Sequence, residues 1–173
     1  KLGATGLTSL NFSISIFCIL QGTGLMIGIG GATRYSILKS KNEQTKANGV
    51  FTHSIALGIF IGIVFFLFGI FFTTSLSKLL GADKTTLPFT YTYLTTIFYF
   101  SPFFITNNIL IAFTRNDHNP KLSMTAMLVS SFSNIILDYI FIFPLSMGMF
   151  GAALATGLSP IISLSVLSTH FLC

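Results

Sequence analysis

Ile59-Phe60-Ile61-Gly62-Ile63-Val64-Phe65-Phe66-Leu67-Phe68-Gly69-Ile70-Phe71-Phe72 is a run of fourteen residues without one polar side chain. It lies inside a longer stretch, between Lys46 and Lys78, that holds no Lys, Arg, Asp or Glu. Working outward, the same kind of gap recurs between Lys1 and Arg34 and between Lys84 and Arg115, each of the three holding 30 to 32 residues. A helix needs about 20 residues to cross a hydrocarbon core about 30 Å thick, so each gap is long enough for one crossing. After Lys121 only Asp138 carries charge, and Phe143-Pro144-Leu145-Ser146-Met147-Gly148 reads as a turn dividing that final run in two. The expected architecture is all-α, a polytopic membrane bundle of five helices at about 9–33, 50–77, 86–114, 122–143 and 149–170.

Composition excludes the alternatives. Only 8 % of the 173 residues are charged and 52 % are apolar, with a mean hydropathy of +0.83, whereas a soluble domain carries roughly 25 % charge. A large soluble helical core would need helices with a charged outer face, and none is present. A β-barrel would show short alternating segments between frequent turns. Twenty phenylalanines exclude disorder, and two cysteines exclude a disulfide scaffold.

Loop charge orients the bundle. Segment 34–48 carries Arg34, Lys39, Lys41 and Lys46 against Glu43, and segment 114–121 carries Arg115 and Lys121 against Asp117. The opposite side has Lys1, Lys78 and Lys84. Basic residues concentrate on the cytoplasmic side, so 34–48 and 114–121 are expected there, with Lys1 outside and Cys173 inside. The net charge of +5 is accounted for by these flanks and calls for no nucleic-acid partner. The ends, without an initiator Met, a signal peptide or a hydrophilic tail, read as those of a piece of a longer chain.

Asp138, in Ser133-Asn134-Ile135-Ile136-Leu137-Asp138, is the acid placed within a span; Glu43, Asp83 and Asp117 fall in expected loops and read as solvated. A carboxylate in a transmembrane helix costs about 2.5–3.5 kcal/mol, so a cation, a proton or polar neighbours must offset it. Asn134 lies one turn away on the same face. Thr156, on the next helix, sits at the same depth, about 8–11 Å from the intervening turn at 1.5 Å per residue. Carboxylate, amide and hydroxyl together suit Na⁺ or a protonatable carboxyl. The same three residues also fit a buried polar lock between two helices, or an outer-interface position for Asp138. Burial favours the protonated acid and a neighbouring Na⁺ the ionised one, a physical basis for antiport.

Other positions carry weaker expectations. Gly24 and Gly28, four apart, form a small-residue face for close helix packing, with a hinge as the alternative. Pro102 is expected to kink the third span. Asn107, Asn108 and Tyr99 are candidate cavity residues; Tyr91 and Tyr93 could line a cavity or sit near the outer interface, and interface anchoring is the simpler reading for these two. Pro160 is expected to bend the last span. His53, His118 and His170 lack metal spacing, and no catalytic pair is visible, so no enzyme activity and no cofactor are expected.

Arg115-Asn116-Asp117-His118-Asn119-Pro120-Lys121, then Asn134-Ile135-Ile136-Leu137-Asp138, then Gly148-Met149-Phe150-Gly151-Ala152-Ala153-Leu154-Ala155-Thr156 resemble the multidrug and toxic compound extrusion (MATE) family, most of all its bacterial multidrug-export and DNA-damage-inducible branch. The resemblance covers essentially the whole chain. It implies twelve helices in two lobes working by alternating access, with residues 1–173 resembling helices two to six of the N-terminal lobe. It also implies a cation site at Asn134, Asp138 and Thr156, completed by an acid on a first helix absent here, and a cavity role for Asn108. The segment Ser36-Ile37-Leu38-Lys39-Ser40-Lys41 departs from the family by lacking a glycine.

The parent protein is then expected to be a monomeric antiporter of the bacterial inner membrane. It would export cationic or neutral amphipathic compounds in exchange for Na⁺ or H⁺. The fragment alone, without its first helix and C-terminal lobe, should not transport. Two alternatives stand beside it: a lipid-linked oligosaccharide flippase of a related family, which would line its cavity with basic residues, and a non-transporting structural membrane module.

Overall fold

A computed structural model of the chain describes residues 3–172, with side chains described from 6 to 169. Lys1, Cys173 and the His170 side chain lie outside the described residues. Six helices follow in order: α1 (Gly3–Ser40), α2 (Gln44–Leu79), α3 (Leu87–Tyr99), α4 (Ser101–Asn116), α5 (Pro120–Ile142) and α6 (Gly148–Leu172). Helices α1, α2, α5 and α6 are each long and apolar enough to cross a membrane, and α3 with α4 forms a fifth span bent by 53°. The all-α bundle of five spans is therefore present.

Helix ends differ from the sequence reading. Segment 34–48 was expected as a loop, yet only 41–43 leaves the helices. The basic residues mark where lipid ends, and a helix needs no lipid to continue. At 38 residues, α1 is about 57 Å long, nearly twice the hydrocarbon thickness. Asn42 makes the reversal at φ 59°, a left-handed conformation that asparagine tolerates. Segment 114–121 likewise narrows to 117–119, turning at His118 with φ 61°.

The overshoot also corrects the reading of Asp117 as a solvated acid. The end of α1 carries Lys39 alongside the 117–119 turn, where it forms an ion pair with Asp117, whose side chain is 14 % exposed. The same ammonium lies 5.6 Å from the Tyr35 ring centroid, and the Ser36 hydroxyl donates to the Asn116 carbonyl at 3.4 Å. Both basic turns thus meet on one side. At the other end the Ser9 hydroxyl donates to the Thr86 carbonyl at 3.3 Å.

The third span is broken rather than bowed. Pro102 has no N–H, so the carbonyl of Phe98 loses its helical partner. The Ser101 hydroxyl stands 2.6 Å from that carbonyl and 2.9 Å from the carbonyl of Gly62, and shares its single hydrogen between them. Gly62 makes the seat possible, since a Cβ there would fall 2.5 Å from Pro102 Cα. Phe100, the residue at the elbow, presses its ring on α6 at Gly157, where a Cβ would meet the ring at 2.3 Å.

Helix α4 is the central element and touches α1, α2, α5 and α6. Ile105, Ile109 and Phe113 are fully buried on it, with Tyr35 and Phe51 set edge-on to Phe113. Gly24 and Gly28 let α1 close on this helix: a Cβ at Gly24 would meet Asn108 Cβ at 2.9 Å, and one at Gly28 would meet Ile109 Cα at 3.0 Å. Large apolar side chains point outward instead, with Phe60 64 % and Phe71 75 % exposed, as expected where the surrounding solvent is lipid.

Candidate functional site

Near the middle of the spans, α1, α4, α5 and α6 line a small open cavity of about 170 Å³. Helix α5 presents Ser130, Ser131 and Asn134 to it, positions three and four apart that share one face. Across from them α6 presents Thr156, Ser159 and Pro160, while α1 supplies Phe17 and Gln21, and α4 Phe104 and Asn107. Phe17 stands edge-on to Phe104 at 5.3 Å between centroids. The Ser130 hydroxyl donates to the Ser159 carbonyl at 3.0 Å and stitches α5 to α6.

The cavity presents mainly acceptors. The hydroxyl hydrogens of Ser131, Thr156 and Ser159 are each committed to a carbonyl four residues earlier, at 3.0, 2.9 and 2.7 Å. Their oxygen lone pairs remain for a guest. Pro160 has no N–H to give the carbonyl of Thr156, so that oxygen also lacks the bond a regular helix would supply. Among the described residues, no Lys or Arg lines the cavity.

Asp138 sits one turn beyond Asn134. One carboxylate oxygen of Asp138, Oδ1, is buried without a hydrogen-bond partner, and so is Asn134 Nδ2. The Tyr93 hydroxyl joins this level from α3, on the side of the Thr156 hydroxyl and within electrostatic range of Asp138. Asn134 and Thr156 therefore share the cavity wall, and Asp138 lies one turn further along α5.

Other sequence expectations meet different outcomes. Asn107 lines the cavity, and its Oδ1 is buried without a partner. Asn108 lies behind the wall, 9 % exposed. Its amide donates to Gln21 Oε1 and, at 3.0 Å, to the Phe104 carbonyl. Tyr99, expected at the cavity, is 48 % exposed with its ring on Phe66 of α2, because the 53° bend turns that face of α3 outward. Tyr93, expected as an interface anchor, turns inward to Thr156. Gln21 went unnoticed in the sequence; the available signal was an amide midway along a charge-free span, one turn before Gly24.

Comparison with known proteins adds an independent line. The family model described as MatE matches residues 1–140. The multidrug export protein MepA of Staphylococcus saprophyticus is 37 % identical over 166 residues, covering 96 % of this chain and 37 % of MepA. MepA of Staphylococcus aureus is 36 % identical over 153 residues, covering 88 % of this chain and 34 % of its own length. Among solved structures, an inward-facing multidrug resistance MATE transporter of the MOP superfamily superposes with a TM-score of 0.94 at 24 % identity, covering 98 % of this chain and 38 % of that one. An outward-facing MATE transporter superposes at 0.90 with 25 % identity, again covering 98 % and 38 %. The chain thus spans a little over a third of the length of the relatives it matches.

Proposed function

The chain belongs to the multidrug and toxic compound extrusion family, and from that premise we propose that its parent protein expels cationic or neutral amphipathic compounds in exchange for Na⁺ or H⁺ bound at Asp138, Asn134 and Thr156. As a multi-pass member of this family it resides in the bacterial inner (cytoplasmic) membrane, and it is a carrier rather than an enzyme. In this reading residues 1–173 are five of the six helices of the N-terminal lobe, and segments 41–43 and 117–119 face the cytoplasm.

The observation that carries the coupling reading is the buried, unpartnered Oδ1 of Asp138 one turn from the unpartnered amide of Asn134. Buried polar atoms normally find partners, and a bare carboxylate oxygen beside an acceptor-lined cavity suits an exchangeable cation or proton. A cation draws on the carboxylate, the Asn134 carbonyl oxygen and the Thr156 oxygens. A proton neutralises the carboxyl outright. Each occupant excludes the other, which is the requirement for exchange.

Size separates ion from drug. The cavity of about 170 Å³ is smaller than the roughly 300–1,000 Å³ of small-molecule sites. The drug pathway therefore lies between this lobe and the remainder of the parent chain. The likeness of the same five spans to both inward- and outward-facing relatives supports a lobe that moves as one body. The test is efflux of a fluorescent lipophilic cation from proteoliposomes of the full-length protein under an imposed Na⁺ or pH gradient. Gradient-driven efflux should be lost in Asp138→Asn, and undiminished coupling in that variant overturns the assignment.

A further inference from the structure

Helices α1 and α2 meet at Gly31, where a Cβ would stand 2.4 Å from Ser54 Oγ and 3.0 Å from the Phe113 ring of α4. Beside that contact the two helices part and leave a cleft of about 620 Å³. Among the described residues it is lined by α1 and α2 alone, so it opens away from α4, on the flank of the bundle. Arg34, Lys46 and His53 line it together with Val50 and Leu57. Gly30 and Gly49 keep it wide, since a Cβ on either would meet nothing within 4 Å.

We propose that this cleft binds one anionic phospholipid, its phosphate held by Arg34 and Lys46 and its upper acyl chain lying along Val50 and Leu57. Three features select that occupant. The charge is of one sign where it is free: Arg34 makes no ion pair among the described residues, and Glu43 meets Lys46 at 2.9 Å across an exposed helical step, a contact that contributes little. His53 Nδ1 lies 2.6 Å from the Gly49 carbonyl, so that nitrogen carries the ring proton and the hydrogen bond holds the ring in place at the cleft wall. The cleft is also deeper than a headgroup. From Lys46 to Leu57 is eleven residues, about 16 Å, and Leu57 is 48 % exposed, so the far end lies at acyl depth. A soluble anion would leave that apolar end unused. Basic recesses between helices at a membrane surface are a recurrent form of lipid headgroup site.

The test is native mass spectrometry of the full-length protein extracted with equimolar phosphatidylglycerol and phosphatidylcholine. One retained phosphatidylglycerol, preferred over phosphatidylcholine, is expected. Arg34→Gln and Lys46→Gln should each lower that preference about five-fold. Lys78→Gln with Lys84→Gln, on the opposite surface, should leave it unchanged. Gly30→Leu keeps every charge and places a side chain in the cleft, where a Cβ meets nothing within 4 Å, so it should abolish retention of the lipid in a protein of unaltered melting temperature. Equal retention of the two lipids by the wild type overturns the proposal. So does a preference that survives Arg34→Gln/Lys46→Gln or Gly30→Leu, and so does displacement of the lipid by glycerol phosphate alone.

Discussion

At the scale of single residues, the cavity region gathers several polar atoms that lack partners. Asp138 Oδ1, Asn134 Nδ2 and Asn107 Oδ1 are buried without partners, while the neighbouring hydroxyls have spent their hydrogens on their own helices. A contact to a charged guest contributes about 1.5–3 kcal/mol, so Asp138→Asn should lower gradient-driven efflux by about ten-fold or more with insertion unaffected. Tyr93→Phe removes one hydroxyl from the same level and should weaken the apparent ion affinity about two- to ten-fold, the worth of one neutral hydrogen bond. Ion titration of efflux measures both, and a Tyr93→Phe protein with wild-type ion dependence would remove Tyr93 from the site. Asn134, Asp138 and Thr156 could be picked out of the sequence as candidates because an acid, an amide and a hydroxyl stand out against apolar spans at matched depth. Tyr93 and Gln21 were not, because their partners lie on helices far away in sequence, and one-dimensional spacing is silent about which face of α3 or α1 turns inward.

At the scale of helices, prolines and glycines act in pairs. Pro102 breaks the third span and Gly62 receives it, so Gly62→Ala must displace Pro102 and should destabilise the protein by about 1–3 kcal/mol. Gly30→Ala, with open space around it, should leave the melting temperature in detergent unchanged or raised, since alanine is the better helix former. Equal melting of the two variants would contradict the seat. Pro160→Ala restores an N–H to the carbonyl of Thr156 and should weaken ion affinity by about two- to ten-fold. The kink at Pro102 could be read from the chain, but not the severity of the break. That depends on the approach of Gly62 from another helix and on Ser101, whose hydroxyl replaces the missing bond. Helix ends were misread for a related reason. Charge reports the edge of the lipid, whereas the turns at Asn42 and His118 are made by backbone conformations that side-chain polarity does not encode.

At the scale of the molecule, the two basic turns are held together by Lys39–Asp117 and Ser36–Asn116, so one labelling experiment decides the side for both. In a background lacking Cys18 and Cys173, Asn42→Cys should react with an impermeant maleimide only after the membrane is opened. Ala82→Cys should react from outside in intact cells. The opposite pattern would invert the topology. The overall bundle was readable because the membrane imposes a simple rule, long charge-free runs, on every span. The position of α4 at the centre was not readable, since its apolar residues look no different in the sequence from those that face lipid.

The ring of Phe100 resting in the notch of Gly157 joins the elbow of the third span to the turn that follows Thr156. Evolution therefore cannot tune these two places separately. In a broad collection of relatives, positions 100 and 157 should covary in bulk, large with small and small with large, and adaptation toward a different driving ion should leave its imprint on both at once.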